Sequence, residues 1–511
     1  MAADDARMTP RQSRSMLSGA SMLLVGRYAV AVLGWLGTAI IFRHLSLHKF
    51  GEFSVIFSLL GIVGFIADLR LSRIVLADVL AADEVEAAHI VGSYTGLRLV
   101  IGVVSYAVAM VCVGIGAATG SFSTDQVIGT AIGGLNLIIL SVAYGLILLF
   151  EARLWLRDVA ISNVVGQVGG FAVILTVTFA GVGSLLWYVG ANVVNGVIVL
   201  LWLAFALRRG ARLLIRFERT QWWRWMREAA PLALGAALDT IYFRIDIVML
   251  SIIGSPAAAG IYTVGYKFSD LLGAVPIAVV TPALTLMVAA WPSDPAAFRR
   301  AFRHTLIILA VGAVGACAGF LVFAEPLVTA LYTDRARPSV DAARLLVVGQ
   351  GLHFFTILAF TTLVAVKRNR LYPVAMLLGV VVNVGLNLAL IPEYSYLGSG
   401  WATVITESLV LITLGAGAGR IPGLRPLPWL AIAKTFAAGV AAGGVGWALL
   451  GRVPWPVGLV TVAVFYLGLV HVLAPNGRGG LSAFGGEPRD DLLSIIEEGY
   501  DRPGSGSGLT G

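Results

Sequence analysis

The sequence predicts an all-α, polytopic membrane protein of about fourteen transmembrane helices, and three observations carry that prediction. Hydrophobic residues make up 58% of its 511 residues and charged ones only 13%, against roughly 25% charged in soluble chains. Apolar stretches of about 20 residues, the length a helix needs to cross a bilayer, recur from end to end. The 60 glycines are scattered through those stretches rather than gathered in linkers, as expected where membrane helices pack closely. With a mean hydropathy of +0.89, the chain carries more apolar surface than a soluble core could absorb.

The elements follow in order. The stretch 17–42 comes after a basic N-terminal segment; it is too long for a cleaved signal and lacks a cleavage site, so it reads as a retained span. Spans at 53–75, 92–114, 127–150, 159–180 and 186–207 complete a first set of six. Spans at 231–253, 260–289, 305–323, 345–366, 373–391 and 400–417 form a second set, and 430–449 and 457–473 add two more. The expected organisation is a first six-helix bundle (1–207), a cytoplasmic basic linker (208–230), a second six-helix bundle (231–418), two extra helices (429–473) and a disordered cytoplasmic tail (474–511).

Arginine and lysine are unevenly shared between the two sets of loops. Those on the N-terminal side carry several times more of them than the opposite loops, where Arg43, Lys49, Arg335, Arg337 and Arg452 stand. By the positive-inside rule both termini are cytoplasmic. The net charge of +8 is thus a matter of topology, and no nucleic-acid partner is read from it. The linker's Trp222, Trp223 and Trp225 among arginines predict a segment lying on anionic lipid.

The halves repeat each other. Ser46, Gly51, Phe53 and Phe57 align without gaps with Ser255, Gly260, Tyr262 and Tyr266, each set at a loop entering the second helix of its bundle. Such repeats give two pseudo-symmetric bundles that rock around a central site, with the last two helices at the periphery. Cys112 and Cys317 lie in apolar runs and read as small buried hydrophobes. No metal-ligand spacing, cofactor motif or catalytic constellation is present, so an enzyme is not expected.

Ionisable residues inside a membrane face a cavity or a partner. Arg27 sits on a stripe of small residues with Ala20, Ala31 and Gly34, which fits a water-filled cavity that accepts an anion as well as a structural ion pair within the bundle. Arg98 stands in the first turns of the third span, able to snorkel. On the seventh span Asp239, Tyr242 and Asp246 form a stripe, and Arg244 points the other way, so Arg244 and Asp246 do not both face one cavity. Lys267 and Asp270 share a face of the eighth span. A Lys267–Asp246 pair is one reading, and a cation-coupling role for Asp239 or Asp246 is the other. Glu407, Asn383 and Asn387 read as inter-helix hydrogen-bond partners, and His353 with Gln350 as a satisfied pair or proton relay.

The stretches REAAPLALGAALDTIYFRIDIVMLSIIGSPAAAGIYTVGYKFSDLL, LNLALIPEYSYLGSGWATVITE and HLSLHKFGEFSVIFSLLGIVGFIADLRL resemble the bacterial polysaccharide flippases. These are the O-antigen and exopolysaccharide repeat-unit exporters of the multidrug/oligosaccharidyl-lipid/polysaccharide superfamily. The resemblance is diffuse, spans most of the chain, and departs from the family's glycines at Arg70 and Ser395. It implies a V-shaped pair of bundles in the cytoplasmic membrane that flips a polyprenyl-diphosphate-linked oligosaccharide by alternating access, with membrane lipid and polysaccharide-assembly proteins as partners and no cofactor. It further implies Arg27 and Arg98 as substrate-binding residues; the intramembrane charges add Arg244 to them and give Asp239, Asp246, Lys267 and Asp270 as candidates for ion coupling. The competing expectations are a multidrug antiporter of the same superfamily and, from another class, a membrane glycosyltransferase or polymerase.

Overall fold

The computed structural model describes Gly26 and residues 29–473, except 69, 70, 208–214, 369 and 425. Arg27, Arg70 and the C-terminal tail therefore lie outside the described residues. All regular structure among the described residues is helical. The first half contains α1 (Ala29–His44), α2 (Leu47–Asp68), α3 (Ser72–Ala81), α4 (Glu84–Ala118), α5 (Thr124–Ala152), α6 (Leu156–Phe179) and α7 (Leu185–Leu207). The second contains α8 (Arg219–Tyr242), α9 (Ile245–Met249, continuing as a π turn, Leu250–Gly254), α10 (Pro256–Ala290), α11 (Pro295–Tyr332), α12 (Ser339–Ala365) and α13 (Leu371–Ala418). Helices α14 (Trp429–Leu449) and α15 (Trp455–Leu473) follow and pack on α11.

Among the described residues, eleven helices are long and apolar enough to cross a membrane, and two shorter apolar ones are Ala29–His44 and Ile245–Gly254. Since α13 folds back on itself, it supplies two passes, and fourteen results. The fold in α13 lies at Pro392–Ser395, where Ser395 takes φ 50° and ψ −131°. A Cβ on Gly398 would come within 2.4 Å of Leu390 O, so the two limbs meet almost backbone to backbone. A non-glycine residue with positive φ is strained, which gives physical content to the serine that stands where the family has glycine.

The repeat has a local mechanism. Ser46 Oγ accepts the Lys49 N–H (3.2 Å) and Ser255 Oγ accepts the Ala258 N–H (3.1 Å), so each serine caps the first turn of its helix. Further along, Gly51 and Gly260 let the two helices cross. A Cβ on Gly51 would stand 1.6 Å from Pro256 O, and one on Gly260 2.9 Å from Leu47 O. The aromatic pairs Phe53–Phe57 and Tyr262–Tyr266 then meet along each helix at centroid distances of 4.7 and 5.7 Å.

The two ends of the bundle differ. At the end bearing Arg43, one apolar core joins both halves: Phe42 and Phe50 pack with Phe268, Phe320 and Tyr332. The halves also exchange arginines there. Arg43 donates to the carbonyls of Ala330 (2.7 Å) and Leu331 (2.8 Å) in the last turn of α11. Arg335 donates to those of Phe42 (3.3 Å) and Leu45 (2.5 Å) at the end of α1. Each helix C-terminus, with its orphan carbonyls and negative dipole end, is capped by a cation from the other half. At the opposite end, marked by Trp222, Tyr94 and Phe150 of the first half share one core with Trp225 of α8, and the second half has another around Phe298, Phe302 and Phe354.

The linker differs from its reading. Its part from Arg219 is already α8, and Arg216, Trp222 and Trp225 rest on α3 and α4. The Arg216 N–H donates to Gly92 O (3.1 Å), and a Cβ on Gly96 would be 2.0 Å from Arg216 O, so α4 accepts the linker backbone at a glycine. Trp222 Nε1 donates to Ser93 O (3.0 Å), and Trp225 Nε1 to Asp78 Oδ2 (2.8 Å) on α3. Trp225 is fully buried, and Trp223 is 68% exposed. The indole N–H groups needed partners, which the neighbouring helices supply. The predicted span 53–75 also divides: α2 ends at Asp68 and α3 runs separately from Ser72.

Candidate functional site

A cavity of about 400 Å³ lies between the halves, nearer the Arg43 end. The first half contributes Gly34 and Thr38 from α1, Phe53, Ser54 and Phe57 from α2, and Gln167, Asn192 and Asn195 from α6 and α7. The second half contributes Arg244, Ile247, Thr263 and Lys267. Two cations thus stand on the wall, and no carboxylate is among the described lining residues. Neither Arg244 nor Lys267 forms a salt bridge among the described residues.

Arg244 occupies a break. The expected seventh span is two pieces, α8 and α9, with Arg244 between them at φ −133° and ψ −20°. The stripe read along a continuous helix is therefore replaced by separate contacts to the second half. Tyr372 donates to Asp239 (3.2 Å), Tyr242 to Glu407 (2.8 Å) and Tyr262 to Asp246 (2.7 Å). Asp246, 1% exposed, also accepts the Ile247 N–H (2.8 Å). Arg244 lines the cavity while Asp246 does not. The Lys267–Asp246 pair is not formed; the carboxylate turns to Tyr262, which bonds Thr403 in turn (3.0 Å).

The other expected site residues scatter. Arg98, 2% exposed, lies off the cavity wall, its guanidinium over the ring of Tyr94 (5.6 Å) in the core around Phe150 and over that of the exposed Tyr144 (5.1 Å). Asp270 is exposed, one turn beyond Lys267. Asp239, Asp246, Lys267 and Asp270 do not meet at one point. His353 pairs with Glu407 (2.9 Å) rather than with Gln350, whose Oε1 accepts from Ser269 (3.3 Å). Asn387 bonds Asn383 on its own helix (2.9 Å), not a neighbour.

Sequence reasoning missed the amides. Gln167, Asn192 and Asn195 are uncharged and sit in apolar runs, so only the i,i+3 spacing of the two asparagines on α7 hinted at a shared polar face. It also missed a buried acid at the Arg43 end: Glu52, 1% exposed, holds Lys49 (2.9 Å) and Ser123 (2.5 Å).

The family model described as polysaccharide biosynthesis protein matches residues 40–341, more than half of the chain. No curated protein matches the sequence closely enough to count as a relative. Among solved structures, the lipid II flippase MurJ in an inward closed conformation superimposes with a TM-score of 0.71 at 11% identity, covering 88% of this chain and 98% of that one. A multidrug resistance MATE family transporter of the MOP superfamily, in an inward-facing conformation, gives 0.65 at 14% identity over 77% and 95%. The MATE multidrug transporter DinF-BH gives 0.56 at 16% identity over 82% and 98%. At these identities the likeness is one of fold.

Proposed function

The chain belongs to the polysaccharide biosynthesis protein family, and from that premise we propose that it is a flippase. It carries a polyprenyl-diphosphate-linked oligosaccharide across the cytoplasmic membrane by alternating access, not an enzyme's chemistry. The observation that carries this reading is the cavity with Arg244 and Lys267 on its wall and no carboxylate among its described lining residues. Two cations held at membrane depth without a salt bridge are costly unless a substrate anion meets them. A diphosphate does so, and the planar guanidinium of Arg244 offers paired donors that match phosphate oxygens. A cation exporter would need the opposite charge on this wall, which sets the antiporter reading aside.

In this proposal Arg244 and Lys267 hold the diphosphate, and Lys267 passes from the ion-coupling group to the substrate site. Arg27 keeps its proposed substrate role, Arg98 becomes structural, and Asp239, Asp246 and Asp270 stay the ion-coupling candidates. The arginine asymmetry puts the Arg43 end outside and both termini inside.

Replacing both cations, Arg244→Met and Lys267→Met, should lower export of the lipid-linked glycan by roughly a hundredfold or more, the worth of two lost charge-assisted hydrogen bonds. Protein abundance in the membrane should stay near wild type. Export measured alongside abundance tests this; normal export by the stable double variant would remove the cations from the site.

A further inference from the structure

We propose that the first-half wall of the cavity reads the sugar, with Gln167 and Asn192 as the hydrogen-bonding contacts and Asn136 and Asn195 as the residues that position them. The inference rests on the flippase reading and divides the site into two walls with different tasks.

The division comes from how the amides are held. Helices α6 and α7 approach closely, since a Cβ on Gly170 would come within 3.0 Å of Ala191 O. Across that seam Asn195 Nδ2 donates to Gln167 Oε1 at 2.9 Å. From behind, Asn136 Nδ2 on α5 donates to Asn192 Oδ1 at 2.5 Å. Asn136 is buried, and it reaches Asn192 past Gly196, where a Cβ would stand 1.8 Å from Asn136 Oδ1. The carbonyl oxygens of Gln167 and Asn192 are thereby engaged. What Gln167 and Asn192 offer the cavity is their NH₂ groups, each a donor. Gln167 Nε2 is the nearest atom to Gly34, 3.6 Å from the place a Cβ there would take.

The hydroxyls are set the other way. Thr38 donates to Gly34 O (2.9 Å) and Ser54 to Phe50 O (2.8 Å), both one turn back on their own helices. Their protons are used, and their oxygens are left as acceptors. The rings of Phe53 and Phe57, 4.7 Å apart, line the same cavity. Among the described residues this wall bears no charge.

Neutral donors and acceptors around aromatic faces suit a pyranose, whose hydroxyls both give and accept hydrogen bonds and whose C–H faces lie against rings. They do little for a phosphate. A site that aims fixed polar groups at a substrate's hydroxyls discriminates strongly, because a wrong sugar leaves those groups unpaired. The cations opposite attract any diphosphate lipid, and the amide wall decides which glycan is accepted.

The test compares two probes on the purified full-length protein: bare polyprenyl diphosphate, and the diphosphate-linked lipids extracted from a strain deleted for this protein. Wild type should bind the glycosylated lipids more tightly. Gln167→Met with Asn192→Leu should lower their affinity roughly ten- to hundredfold, as expected for two lost hydrogen bonds, and leave the bare lipid's affinity unchanged, which also reports a folded site. Gly196→Ala, whose methyl collides with Asn136 outside the cavity, should give the same selective loss in smaller measure and decides the case if the double variant is unstable. A wild type without preference, a variant that keeps it, or an equal loss for both probes overturns the proposal. Failure of the bare lipid to bind wild type, or its undiminished binding to Arg244→Met with Lys267→Met, instead overturns the flippase reading.

Discussion

At the Arg43 end the two halves share one apolar core and cap each other's helices, whereas at the Trp222 end there are two separate cores and α8 passes from one to the other. The first arrangement resists separation, since parting the halves would strip water-excluded contacts and orphan four carbonyls together. In the second, α8 ties the two cores together: Trp222 and Trp225 bond Ser93 and Asp78 in the first half, while Tyr242 at the far end of the same helix bonds Glu407 in the second. The cavity lies between these regions, closed off on one side by the shared core and flanked on the other by cores that stay separate. An alternating-access transporter needs such an asymmetry, with one end sealed while the other admits the substrate.

The comparison breaks most completely at Gly51. Leucine there would drive its side chain into the Pro256 carbonyl and should cost about 3 kcal/mol or more by overpacking. Membrane abundance and melting temperature should fall together. Gly114→Leu, placed on α4 where a Cβ meets nothing within 4 Å, is the matched control and should leave both near wild type. A Gly51→Leu protein that melts like its parent would mean the helices do not cross there.

A milder intervention removes the exchanged caps. Hydrogen bonds from charged donors are worth roughly 1.5–3 kcal/mol when buried, and the exposure of Arg43 discounts that. Arg43→Gln with Arg335→Gln should therefore raise labelling of a cysteine at Phe53 from the Arg43 side by about tenfold. The reagent is a membrane-impermeant thiol probe, used with Cys112 and Cys317 replaced. Equal labelling rates would show that the shared apolar core alone seals this end.

The smallest effect sharpens the picture by separating stability from coupling. Ser395 bends α13 within the second half, near the Arg43 end but without bridging the halves. Ser395→Gly should relieve its positive-φ strain and stabilise by about 1 kcal/mol, read as a melting temperature higher by a few degrees, with glycan export unchanged. A lower melting temperature would mean the serine hydroxyl contributes more than the backbone strain costs.

Sequence by itself determined the all-helical membrane class, the fourteen passes and the repeat, because apolar length and the placing of capping serines and crossing glycines are local properties of the chain. Ser46 and Ser255 hold matching places at the start of their helices, and Arg244 lines the cavity while Asp246 does not, although a break between α8 and α9, rather than one continuous helix, sets them apart. Tertiary structure alone decided which groups meet. The break at Arg244 contains no proline or glycine to announce it and is matched by tyrosine–carboxylate bonds to partners on α10 and α13, the latter far along the chain. The docking of Trp225 on Asp78, the turn of Asp246 toward Tyr262 and the pairing of Gln167 with Asn195 follow from the demand that every buried polar group find a partner. That demand favours a partner without guaranteeing one, since Trp35 Nε1 and Ser105 Oγ are buried without any among the described residues. Which residue it is depends on how the helices pack.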